Sequence, residues 1–190
     1  EVNSSEGYVL TVTPDQVLIR ATSGAGLFYG VQTMLQMADE KGLPVGVITD
    51  EPRFAYRGFM MDVSRHFFNK EFIKKQMDAL AYYKLNRLHL HLTDAAGWRI
   101  EIKKYPRLTE IGSIRNKTMI RKEWDNYDTT PYGGFYTQED IKEVVKYAEE
   151  RCINIIPEVD LPGHMMAALA AYPDLGCTGG PYEVSGQWGV

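Results

Sequence analysis

The chain lacks the features that would place it in several large protein classes. It has only two cysteines in 190 residues, Cys152 and Cys177, so no disulfide framework exists and stability must come from buried apolar side chains. No apolar run approaches the roughly 20 residues a membrane helix needs, so no membrane segment is expected. Neither sign of charge dominates. A net charge of -4 with both signs interspersed excludes the basic stripe of a nucleic-acid binder and the polybasic face of a membrane-surface protein. The chain opens on Glu1 without an initiator Met or an apolar leader core, so any export signal is expected to have been removed or never included. What remains is a chain that is 44% hydrophobic, enough to bury a substantial core. Its 12% aromatic content suits sugar stacking and an aromatic core equally.

Residues 8–12 and 17–21 alternate as strands around a turn at Thr13, Pro14, Asp15 and Gln16, which predicts a β-hairpin. Ser23 then caps a helix whose apolar residues Leu27, Phe28, Val31, Met34, Leu35 and Met37 recur at helical spacing toward Gly42. Gly24, Gly26 and Gly30 open that helix at the wrong spacing for a phosphate-binding fingerprint, and close helix packing is the better reading. Residues 1–50 thus read as the end of a small α/β domain, with Gly42–Pro52 as a linker.

Residues 51–190 carry a different pattern. A strand over Tyr56–Val63, a helix over Lys70–Tyr83 and a strand over Leu85–Leu92 come first. Roughly forty irregular residues follow, far beyond the usual loop length. A helix over Gln138–Arg151 and a strand over Cys152–Ile156 complete the series, with Cys152 as a buried thiol and Cys177 in a Gly-rich loop. Strands alternating with helices predict a parallel α/β sheet with right-handed crossovers. A closed eight-stranded barrel takes about 250 residues, so three strands supply less than half of one.

In such sheets the chemistry collects at the carboxyl ends of the strands. The segment Ile-Pro-Glu-Val-Asp-Leu-Pro-Gly-His (156–164) runs from an apolar strand into a bend bearing Glu158, Asp160 and His164, which a buried strand has no use for. His89 and His91 share one face of the preceding strand by alternation. They are either packed, hydrogen-bonded histidines or the start of a metal pair, although a zinc site needs about three or four ligands and no further convincing set is present. Asp94, just past that strand, can orient the His164 imidazole or cap its own loop. Arg57 either clamps neighbouring hydroxyls with its fork of donors or pairs with a carboxylate such as Asp62; spacing does not separate these.

Three blocks taken with the 156–164 segment resemble the family 20 glycoside hydrolases, the β-N-acetylhexosaminidases. They are Pro-Arg-Phe-Ala-Tyr-Arg-Gly-Phe-Met-Met-Asp-Val-Ser-Arg-His-Phe-Phe (52–68), Asn-Arg-Leu-His-Leu-His-Leu-Thr-Asp-Ala-Ala-Gly-Trp-Arg (86–99) and Gly-Gly-Phe-Tyr-Thr-Gln-Glu-Asp (133–140). The resemblance implies the first three βα units of a TIM (β/α)₈ barrel, preceded by the end of a small α/β domain. It also implies retaining, substrate-assisted hydrolysis of terminal β-linked N-acetylglucosamine or N-acetylgalactosamine, in which the sugar's acetamido oxygen attacks the anomeric carbon. By the same resemblance Arg57 matches the arginine that binds hydroxyls of the terminal sugar, and Asp94 with His164 matches a couple that bonds toward the catalytic Glu. Glu158 and Asp160 would stand behind that couple or at its rim. No cofactor and no metal are implied; the partner is an oligosaccharide or glycoconjugate ending in β-linked N-acetylhexosamine, and the compartment is outside the cytoplasm.

The family's catalytic Asp-Glu pair ends its fourth strand, whereas this sequence stops at Val190 before that strand. Asp39-Glu40 and Asp50-Glu51 lie in the small domain and the linker, away from any barrel strand end. The chain alone is therefore expected to be an inactive fragment. It is also expected to self-associate through an open barrel edge, where Met60, His89 and Ile155 lose their covering wall. Two rival readings stand beside this one: a metal-dependent barrel hydrolase using His89 and His91, and a non-catalytic carbohydrate-binding module.

Overall fold

In the computed structural model, which describes residues 2–121 and 123–187, the alternation of the first segment becomes an antiparallel pair. Strand β1 (Tyr8–Val12) pairs with β2 (Val17–Ala21) from Tyr8↔Ala21 to Val12↔Val17. Tyr8, Leu10 and Val12 turn inward against helix α1 (Gly24–Met37), whose first amides donate to the Ser23 hydroxyl. Gly26 and Gly30 permit that contact. A Cβ would stand 2.4 Å from the Gly7 carbonyl oxygen at Gly26 and 2.5 Å from Ile19 Cγ2 at Gly30, too close for any side chain.

The expected linker at Gly42–Pro52 is instead largely a strand. β3 (Gly46–Asp50) pairs antiparallel with the other edge of β1, giving the order β2-β1-β3. Gly42 closes a tight turn with Asp39, and beyond Pro44 the free donors and acceptors of the β1 edge recruit residues 46–50.

The second sheet is parallel, in the order β10-β5-β4. It starts with β4 (Gly58–Asp62), crosses through α2 (Lys70–Tyr82) and returns as β5 (Arg87–His91) in the centre. Leu88 and Leu90 of β5 are fully buried with Ile73 and Met77 of α2, so alternation turns His89 and His91 to the opposite face.

The long connection after β5 is more structured than its sequence suggests. It contains a tight pair, β6 (Thr93–Asp94) and β7 (Gly97–Trp98), the short helix α3 (Arg107–Glu110), and a second pair, β8 (Ile114–Arg115) with β9 (Tyr132–Gly133). Thr137 and Asp140 then form a reciprocal capping box that starts α4 (Gln138–Glu149).

β10 (Asn154–Glu158) begins two residues later than the sequence suggests. Cys152 is not in it. It sits half-buried in the turn closing α4, at a left-handed φ of 56°, with its amide bonded to the Glu149 carbonyl. A helix that turns straight into a strand needs one such residue, and Lys84 takes the equivalent place after α2 at φ 57°. Beyond β10, helix α5 (Met166–Ala171) packs Ala167, Ala168 and Ala171 on Trp98 and Leu108. The described residues form no closed barrel, and none of their helices is long and apolar enough to cross a membrane.

Candidate active site

All three parallel strands end, at the same edge of the sheet, in an ionisable residue: Asp62, His91 and Glu158 occupy one register level. Asp62 turns its chain sharply, accepting the amides of Ser64 (3.0 Å) and Arg65 (2.9 Å). This brings the Arg65 guanidinium back over the strand end. There it contacts Asp62 at 2.6 Å and Asp94 at 2.8 Å. Asp94 is held by the β6–β7 turn and is 4% exposed. Its Oδ1 accepts the Ala95 amide, while Oδ2 serves three groups at once: Arg65 Nη2, His91 Nε2 at 3.0 Å and His164 Nδ1 at 3.1 Å.

His91 also reaches Glu158 through Nδ1 at 2.7 Å, and His89 contacts the other Glu158 oxygen. Both ring nitrogens of His91 therefore face carboxylates, which favours the doubly protonated ring. Burial works against that charge, but Asp94 and Glu158 prevail and lift the His91 pKa above the ordinary imidazole value. Burial likewise opposes ionisation of Glu158, yet its hydrogen bonds from His91 and His89 hold it below the usual carboxylate range. Asp62 is also depressed: burial raises its pKa, and the Arg65 side chain and amide more than offset this.

His164 adopts a left-handed φ of 57° just after β10. Its Nε2 lies 3.9 Å from Asp160, whose amide donates to Thr93 Oγ1 at 3.0 Å. Asp94, His164, Glu158 and Asp160 are thus assembled on one side of the sheet. His91, Glu158 and Asp160 each offer a donor atom within 4.8 Å of one another, a spacing able to hold a cation. The imidazoles of His89 and His91 are, however, both turned on Glu158 rather than presenting free lone pairs as a metal pair would.

Arg57 does not join the group. It precedes β4 whereas Asp62 ends it, and five residues at about 3.3 Å each separate the two by roughly 17 Å. Its guanidinium is engaged by Glu6, just ahead of β1, at 3.0 and 3.2 Å and by the carbonyls of Lys84 (2.8 Å) and Phe54 (2.7 Å). Neither sequence reading of Arg57, hydroxyl clamp or partner of Asp62, describes this position. The arginine at the mouth is Arg65. The signal for it lay in the spacing Asp62-Val-Ser-Arg65, since a strand-ending aspartate that caps the next turn returns the third residue to the strand end.

The model of "Glycosyl hydrolase family 20, catalytic domain" matches residues 54–190, and that of the same family's domain 2 matches residues 1–51. The chain belongs to glycosyl hydrolase family 20. A relative, the beta-hexosaminidase of Porphyromonas gingivalis, is 49% identical over 97% of this chain and 24% of its own length. A solved beta-N-acetylhexosaminidase superposes with a TM-score of 0.88 at 40% identity, covering 98% of this chain and 39% of that one. The Vibrio harveyi GH20 exo beta-N-acetylglucosaminidase, solved with N-acetylglucosamine, gives a TM-score of 0.80 at 44% identity, covering 90% of this chain and 28% of that one. The chain spans well under half of each of these proteins.

Proposed function

We propose that the protein carrying this chain is a retaining β-N-acetylhexosaminidase that removes terminal β-linked N-acetylglucosamine or N-acetylgalactosamine from glycans. The observation that carries this reading is the single Asp94 oxygen shared by Arg65, His91 and His164 at the carboxyl ends of parallel strands in a family 20 chain. Asp94 orients His164, and His164 presents its remaining face toward the general acid. That acid, the Glu of an Asp-Glu pair in the family pattern, comes from sequence outside these 190 residues. The sugar's acetamido oxygen attacks the anomeric carbon while the Glu protonates the leaving oxygen; the same Glu then takes a proton from the water that opens the cyclic intermediate. Arg65, not Arg57, supplies the donors for the terminal sugar's hydroxyls, because it alone of the two stands at the mouth.

In this reading residues 1–50 are the end of the small preceding domain, and residues 51–190 are the first three βα units of a (β/α)₈ barrel. The enzyme works outside the cytoplasm. The isolated chain lacks the acid, is inactive, and self-associates through its two bare edge strands, β4 and β10, where Phe59 and Met60 of β4 are exposed. The test is hydrolysis of an aryl β-N-acetylglucosaminide by the full-length protein, with the anomer of the released sugar followed by NMR. The β-anomer is expected first. First release of the α-anomer, or no hydrolysis, would overturn the proposal.

A further inference from the structure

The loop that carries Arg65 lies outside every strand and helix, yet four of its carbonyls are captured by side chains from the long connection after β5. Ser64 O accepts Arg99 Nε at 3.1 Å and Nη2 at 2.8 Å. Arg65 O accepts Arg115 Nη1 at 2.6 Å. Phe67 O accepts the Tyr132 hydroxyl at 3.0 Å, and Phe68 O accepts the Tyr136 hydroxyl. Irregular backbone must find such partners somewhere; here the amides of Ser64 and Arg65 find Asp62, and the four carbonyls find long polar side chains arriving from one segment.

Two of those side chains are costly choices. Arg99 and Arg115 are 0% and 1% exposed, and among the described residues neither has a carboxylate partner. Carbonyl dipoles and ring faces compensate them instead: Arg115 lies 4.6 Å from the Tyr132 ring centroid and Arg99 5.9 Å from that of Phe67. Arg115 Nη2 has no hydrogen-bond acceptor among the described residues. Burial pulls both guanidinium pKa values down, that of Arg99 to about 10. A methionine would fill such space without burying a charge. The charge is therefore explained by what its hydrogen bonds hold.

We propose that the 93–137 connection is a template for the sugar-binding arginine, in which Arg115, with Arg99, Tyr132 and Tyr136, fixes the 64–68 backbone and thereby sets where the Arg65 guanidinium points. Arg115 is a positioning residue. The inference rests on the reading of Arg65 given under Proposed function. Displacing a binding group by about 1 Å can cost up to about 10²-fold in rate, so the template's effect should appear in catalysis.

The test is a double-mutant cycle in the full-length protein with an aryl β-N-acetylglucosaminide. R115M should raise KM and lower kcat/KM by about tenfold or more. In an R65A background the same change should cost less than about twofold, because the group it positions is gone. Y132F, which removes a single oxygen, should show a smaller loss, about threefold, with the same dependence on Arg65. It serves as the cycle if R115M does not fold. Equal losses in both backgrounds would show that the template supports only the fold and would overturn the inference. An R65A variant with unchanged kcat/KM would instead overturn the assignment of Arg65, and the inference with it.

Discussion

The two ends of the parallel sheet use the same kinds of residue in opposite ways. At the amino end charges meet one to one: Arg57 pairs with Glu6, and Lys84 with Asp50 at 2.9 Å, where Tyr8 also donates. Asn86 bridges Glu6, the Ala55 carbonyl and the Arg57 amide. These contacts tie the small sheet to the parallel one. At the carboxyl end the charges do not balance. Among the described residues four carboxylates, Asp62, Asp94, Glu158 and Asp160, gather around one arginine, Arg65, with the imidazoles of His89, His91 and His164 set between them. An arginine flanks β4 on each side. Which end it stands at decides whether it is consumed by Glu6 and two backbone carbonyls or left partly exposed between two carboxylates.

The largest effect that would break this contrast is at Asp94. Asp94→Asn in the full-length protein keeps the shape but removes the charge that three partners share. We expect kcat on an aryl β-N-acetylglucosaminide to fall by about 10²-fold or more, and a change under about threefold would show that the carboxyl-end network is only structural. Next is Arg57→Ala, which should leave kcat/KM within about twofold while lowering stability in urea by about 2 kcal/mol, since Glu6 loses its partner in a partly screened site. If KM rose strongly with stability unchanged, Arg57 would be acting on the sugar after all. The smallest effect is a titration. The folded pKa of His91 is raised, so its contribution to stability is complete below about 6.5 and is lost as pH rises through the folded value. NMR of selectively labelled histidine should give a His91 midpoint above that of a free imidazole; a midpoint at or below it would show that Asp94 and Glu158 do not outweigh burial.

The series of strands and helices after residue 52 was legible because apolar periodicity survives wherever a helix covers a sheet, as at Leu88 and Leu90 against Ile73 and Met77. So was the meeting of Asp94 and His164, which follows from successive parallel strands lying side by side. β3 was not legible. Gly42, Pro44, Gly46 and Pro52, in and around it, resemble loop punctuation, and only the free edge of β1, a non-local partner, makes residues 46–50 a strand. The placing of Arg57 and Arg65 at opposite ends of β4 has a similar cause. Both flank β4, and telling which one returns to the mouth requires the turn that Asp62 caps, a hydrogen-bond pattern rather than a composition. The order within residues 93–137 was hidden for the same reason, since its strands are two residues long and its ties are side chain to backbone.

Those ties also impose a timetable on synthesis. The contacts between Arg57, Glu6 and Asn86 are complete once residue 86 has been made, whereas the carbonyls of Ser64, Arg65, Phe67 and Phe68 wait for side chains 35, 50, 65 and 68 positions later. At roughly 5 to 20 residues per second that last delay is roughly 3 to 14 s. Until Tyr136 has been made the full set of partners for these four carbonyls does not exist, so the Arg65 loop is the later of the two regions able to complete its hydrogen bonds.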